Sequence, residues 1–152
     1  MGKRREGREA AVQFLFQHDL SKADVAHASQ DEEQPREPLE RLLERFWDLR
    51  PAAAKTRDFS TALVKGVLEN REAIDERIRT SAANYELNRI AAVDRNILRV
   101  AVYEMLFTND VPPVVSINEA IEIAKRFGSE ESGRFVNGIL DRIRGELSRP
   151  AR

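Results

Sequence analysis

The stretch Val93-Asp94-Arg95-Asn96-Ile97-Leu98-Arg99-Val100-Ala101-Val102-Tyr103-Glu104-Met105-Leu106 decides the fold. Its apolar residues follow no strand-like alternation and cover most of a helical circumference, which predicts a central helix buried by neighbours on nearly every side. Those neighbours must be helices, because strand patterning and hairpin turns are missing from the rest of the chain. Downstream, Asn109-Asp110-Val111-Pro112-Pro113 breaks the run, and Ser116-Ile117-Asn118-Glu119 fits an S-x-x-E capping box, with Val115 placed to staple onto Ala120. That helix continues through Ile121, Ala124 and Lys125 to Gly128, which reads as a left-handed C′ residue. A last helix carries Phe135, Ile139, Ile143 and Leu147 on one stripe, with Val136 and Leu140 beside it.

Upstream of the central run, Phe59, Leu63, Val67, Ile74 and Ile78 mark either one long helix over about 57–82 or two helices parted near Asn70. Leu39, Leu42, Leu43, Phe46 and Trp47 give another stripe that ends before Pro51, and the lone Trp reads as core. At the start, Val12, Leu15, Phe16 and Leu20 predict an amphipathic helix of about five turns. Between these two, Ser21 to Pro38 reads as a polar connection, a mobile acidic loop near 24–38 with a weak helical turn at Ala23 to Ala28. The fold class is therefore all-α, six or seven helices forming two small bundles within a single domain spanning 1–152.

Composition narrows the function. The chain has 152 residues, 41% hydrophobic and 34% charged, so it can build a core without staples and is not a low-hydropathy disordered chain. It has no Cys, which removes disulfides and thiolate metal sites, and its N-terminus has neither signal-peptide nor membrane-span character. A cytoplasmic protein without a membrane partner is expected. The net charge of -1 conceals an asymmetry: Lys3, Arg4, Arg5 and Arg8 crowd the start, whereas 24–48 holds eight acids against Arg36, Arg41 and Arg45. A basic arm on a helix start can attract phosphate whatever the net charge, and arginine forks onto phosphate better than lysine. The same arm is equally well explained as a solvated face.

No catalytic constellation is visible. His18 and His27 form no H-x-x-x-H pair, no Cys nucleophile exists and no Gly-rich phosphate loop is present, so an enzyme and a resident cofactor or metal are not expected. Asn118 and Asn137, each among apolar neighbours, read as buried amides that tie backbone together, and Gly138 as a site of close helix approach.

Four blocks go further. Arg4-Arg5-x-x-Arg8-Glu9-x-Ala11-Val12-Gln13, Ile97 to Glu104, Ile117 to Gly128 and Ser132-Gly133-Arg134-Phe135-Val136-Asn137-Gly138-Ile139-Leu140-Asp141 stand in the order and spacing of the NusB family. The chain resembles that family over nearly its whole length, with 24–50 matching poorly. The resemblance implies two three-helix subdomains and a transcription antitermination adaptor. Such an adaptor binds boxA RNA jointly with the ribosomal protein NusE, as part of an RNA polymerase elongation complex with other Nus factors, in support of ribosomal RNA synthesis. It also implies RNA contacts at Lys3, Arg4, Arg5, Arg8, Arg134 and Phe135, although Phe135 shares the core stripe of Ile139 and Ile143 on periodicity alone. NusE contacts are implied at Phe16, where Tyr is frequent, and at Asp94, where the longer Glu can stand. A helical protein-binding scaffold without direct RNA contact is the rival expectation.

Overall fold

The computed structural model describes residues 2–28, 37–82 and 86–147, and of 22–28 only the backbone. Among the described residues there are seven α-helices and no strand: α1 (Gly2–Ala28), α2 (Leu39–Leu49), α3 (Ala54–Glu69), α4 (Arg71–Ser81), α5 (Ala92–Phe107), α6 (Pro113–Phe127) and α7 (Ser132–Leu147), with a single 3₁₀ turn at Leu87–Arg89 before α5. None is long and apolar enough to cross a membrane.

The helix predicted to be central is central. α5 packs against α1, α3, α4, α6 and α7, and Ile97, Leu98, Val100, Ala101, Val102 and Met105 are all buried. Each of these side chains larger than alanine contributes about 1.5–3 kcal/mol on burial, which is how one helix can organise the rest. α1 and α3 pack together on one side, with α2 laid over α1 through Phe14 and Phe46, whose rings meet edge to face at 5.5 Å. Trp47 packs on Phe46 and its indole N–H donates to Thr61 Oγ1 at 3.4 Å, a core role. α4, α6 and α7 close the other side, and the core runs unbroken through both groups of helices.

Several local expectations are corrected. α1 does not stop near Ser21 but continues to Ala28, so the helical turn expected at Ala23 to Ala28 is present as the end of α1 and not as a separate piece of the 24–38 loop; 29–36 lie outside the described residues. The alternative of two helices holds for 54–81, and Asn70 makes the break: it ends α3, begins α4 and donates from its side chain to the Gly66 carbonyl at 2.8 Å. α6 begins at Pro113, with Pro112 as N-cap, so Ser116 lies inside the helix and the predicted capping box does not form. Proline at the first helical position supplies the helical φ and lacks the N–H that would need a partner there. Ser116 is instead buried, and Glu119 is free to bond elsewhere. Gly128 is extended, at φ -99° and ψ -167°, and not left-handed. Its requirement for glycine is space, since a Cβ would stand 2.4 Å from Ser132 Oγ and 2.9 Å from the Ala124 carbonyl oxygen. Close helix approach occurs at Gly66, where a Cβ would meet the Tyr103 ring at 2.1 Å, whereas Gly138 faces open space. Asn118 and Asn137 are exposed and do not tie buried backbone together.

Candidate nucleic-acid and partner interface

The basic arm is the first two turns of α1, and its side chains divide three ways. Lys3 and Arg4 are exposed, and the Arg4 guanidinium sits 5.5 Å above the centre of the Phe59 ring of α3. Arg8, one turn on, reaches the same ring at 5.4 Å but is buried. It donates from Nε and Nη2 to both oxygens of Glu104 on α5, at 2.7 and 2.9 Å, with side-chain exposures of 5% and 2%. Arg5 turns to α6 and forks onto Glu119 at 2.7 and 3.0 Å, where 36% and 18% of the two side chains stay exposed. The hydrogen bond from Arg5 holds the Glu119 carboxyl below the usual carboxylate range, against a weaker upward push from burial.

Arg4, Arg5 and Arg8, each implied as an RNA contact by the resemblance, therefore do not present one joint face. Positions 4 and 8 do share a helix face, as their spacing requires, but that face is turned onto Phe59, and Arg8 is sealed beneath it. A buried carboxylate needs a paired, hydrogen-bonded cation, and Arg8 supplies it to Glu104. Gly7 belongs to the same packing, since a Cβ there would lie 2.6 Å from the Phe59 ring.

A second pair runs the opposite way between the same helices: Arg126 of α6 donates to the buried Glu9 of α1 at 2.8 Å while 65% of its own side chain remains exposed. Lys125 is 65% exposed and pairs loosely with Glu122 at 3.4 Å. The first turn of α7 lies on α6 at this level, since a Cβ on Gly133 would be in contact with Ile121 and Lys125 at 3.8 and 3.9 Å. Arg134 is exposed beside it, while Phe135 is half-buried and packed against the core, as its stripe predicted. Of the cations singled out from the sequence, Lys3, Arg4, Arg5 and Arg134 thus fall along one edge, with α6 between the arm of α1 and the start of α7, and Arg8 does not. Lys125, Arg126, Glu119 and Phe59 are members of that edge which sequence reasoning did not select.

The residues linked to protein contact are placed apart from this edge. Phe16 is half-buried and lines an open groove of about 740 Å³ between α1 and α2, with Phe14, Leu42, Phe46 and Leu49. Asp94, expected on the surface, is only 8% exposed in the first turn of α5, and its Oδ1 has no hydrogen-bond partner among the described residues. The helix N-terminus at which it stands favours a negative charge, which is the physical reason the carboxylate is tolerated there.

A third cluster was not foreseen. Asp19 of α1 accepts from Arg99 at 2.7 Å, from Arg95 and Arg71 at 3.2 Å and from Asn96 at 3.1 Å, while Arg99 also forks onto Asp75 of α4 at 2.8 and 3.1 Å. Burial pushes the Asp19 carboxyl up, but Arg99, Asn96 and Arg95 outweigh it and hold it below the usual carboxylate range. This knot ties α1, α4 and α5 together.

The fold and these surfaces define a helical scaffold braced by internal ion pairs, with a basic edge and a separate aromatic groove. Comparison with known proteins makes the class specific. The chain belongs to the NusB family, whose family model matches residues 5–144. It is 45% identical over 147 residues to the transcription antitermination protein NusB of Geobacter sulfurreducens, covering 97% of both chains. It is 46% identical over 145 residues to the protein of that name from Bacillus cereus strain B4264, covering 95% of this chain and 99% of the relative. Among solved structures, T. maritima NusB superposes with a TM-score of 0.77 at 43% identity, over 94% of this chain and 91% of that one. A chain from a crystal structure of the antitermination factors NusB and NusE in complex with dsRNA shares the fold, with a TM-score of 0.78 at 23% identity over 96% and 98% of the two chains.

Proposed function

We propose that this protein is a transcription antitermination adaptor that binds boxA-type single-stranded RNA together with the ribosomal protein NusE, within an RNA polymerase elongation complex that includes other Nus factors, and so supports ribosomal RNA transcription. Family membership over residues 5–144 is the observation that carries this reading. The exposed cations along the α1, α6 and α7 edge support it, because binding to the RNA backbone depends on local cations and not on net charge. Lys3 and Arg4 make the first phosphate contacts, Arg134 adds one from α7, and the exposed part of Phe135 offers a ring edge to an unstacked base. Phe16 and Asp94 form the NusE contact. The work is done by binding and not by catalysis.

A scaffold that touches only proteins is favoured by one observation: Arg5 and Arg8, half of the arm's four cations, are already neutralised by Glu119 and Glu104. Salt dependence separates the two readings. For single strands, log affinity falls with log salt by about 0.7 per phosphate neutralised, so Lys3→Ala with Arg4→Ala makes the slope for a boxA-type RNA shallower by roughly 1.4, twice that coefficient. An unchanged slope and affinity would leave the protein-only scaffold as the function.

A further inference from the structure

Of the two arginine–carboxylate forks on the arm, one is closed to solvent and one is open. Arg8–Glu104 lies inside the α1–α3–α5 packing with 5% and 2% of its side chains exposed, whereas Arg5–Glu119 has 36% and 18% exposed, at the edge where Lys3 and Arg4 stand. A carboxylate and a phosphate present the same pair of acceptor oxygens to a guanidinium fork. Glu119 thus occupies the position on Arg5 that an incoming phosphate would take. Lys3 and Arg4 carry no such occupant among the described residues, Arg4 being held instead against the Phe59 ring.

We propose that Glu119 is a displaceable internal counter-ion for Arg5, which RNA phosphate must replace. The proposal rests on the reading of the arm as an RNA surface and adds a threshold to it. A phosphate that meets Arg5 alone gains one fork and loses another, and the exchange is close to neutral. A strand already held by Lys3 and Arg4 has its next phosphate placed beside Arg5, and only then does the exchange proceed. Glu119 therefore suppresses capture of isolated anions and short non-cognate contacts and favours a continuous backbone. Glu122 and Glu9 also act electrostatically on Arg5, so an incoming phosphate meets further negative charge there, which raises the threshold.

The test is a double-mutant cycle on the full chain, read by fluorescence anisotropy of a labelled boxA-type single-stranded RNA at fixed ionic strength near 0.15 M. Glu119→Gln is nearly isosteric, and because the pair is partly exposed the fold should survive, which thermal melting checks. An exposed pair is worth about 0.2–1 kcal/mol, so E119Q should tighten binding by up to roughly fivefold. Arg5→Ala should weaken binding, and in that background E119Q should bring no gain. Glu122→Gln, which removes a nearby charge without touching the fork, should give a smaller gain than E119Q. The proposal is overturned if E119Q fails to tighten binding, if its gain persists without Arg5, or if E122Q matches it. The Lys3→Ala, Arg4→Ala variant tells the two ideas apart: weakened binding there with a neutral E119Q removes only the exchange, and unaltered binding there removes the RNA surface and the exchange with it.

Discussion

Replacing Arg8 by Ala separates a structural arginine from its exposed neighbours. Glu104 has 2% of its side chain exposed and takes both of its short hydrogen bonds from Arg8, so the substitution leaves a buried carboxylate with no compensating charge. Breaking a buried pair in this way costs about 3–5 kcal/mol. The guanidinium also rests on the Phe59 ring, a contact worth about 2 kcal/mol when the cation is desolvated as it is here. In a chain of this size each kcal/mol moves the melting temperature by about 2–4 °C, so a fall of roughly 6–20 °C follows from the pair alone. Circular dichroism melting reads it directly. Arg8→Met combined with Glu104→Leu, which removes both charges and keeps volume, should recover most of the loss, because paired buried charges are often neutral against apolar replacements. The salt slope of RNA binding, measured well below the melting temperature, should not change. An Arg8→Ala protein that melts with the parent and loses a slope of about 0.7 would place Arg8 on the RNA and refute the assignment.

Other consequences can be checked on the same purified protein. Because the Asp19 carboxyl is held below its ordinary value in the folded state, it contributes stability that is present above the unfolded carboxylate pKa of about 3.9 and is lost as pH falls through the folded value. Asp19→Asn should therefore lower the melting temperature at pH 7 and flatten its decline below pH 4, and an unaltered acid profile would remove Asp19 from that linkage. Gly66→Ala should destabilise by about 1–2 kcal/mol through collision with Tyr103, and in a Tyr103→Ala background the sign should reverse, since Ala is the better helix former once the ring has gone; chemical denaturation of the pair decides it. Asp94→Asn should leave melting nearly unchanged, the lost attraction of about 0.3–1 kcal/mol at the helix start being offset by easier burial, while weakening association with NusE in a titration. A large melting loss with association intact would make Asp94 purely structural.

What could be read from the sequence was what depends on short spacing. The stripe Ile97 to Met105 marked the central helix, and Asn70 marked where α3 and α4 would part if 57–82 were two helices and not one, because helix periodicity and a short polar interruption are local. Start and stop chemistry was harder. Pro112-Pro113 and Ser116-x-x-Glu119 are both helix-start signals, and the proline won because its ring fixes φ at the helical value without any side-chain bond. The long-range ion pairs could not be read as pairs: Arg8 and Glu104 are 96 residues apart, and Asp19 and Arg99 are 80 apart. One signal did exist. Arg99 and Glu104 interrupt a run that is otherwise buried all round, and a charge in such a place demands an opposite charge from another element. The arginine-rich arm supplied one of these partners, which is why a count of cations overstated the exposed positive charge by including Arg8. Phe135 shows the converse, since periodicity alone placed it correctly against the core.

The most direct test of the adaptor function is the affinity of one boxA-type RNA for this protein alone and for an equimolar mixture with NusE, titrated by fluorescence anisotropy in the same buffer. With only a few exposed cations on the arm, the protein alone should bind weakly, and the mixture should bind more tightly because the partner extends the RNA surface. Equal affinities for the two samples would contradict joint binding and take NusE out of the mechanism.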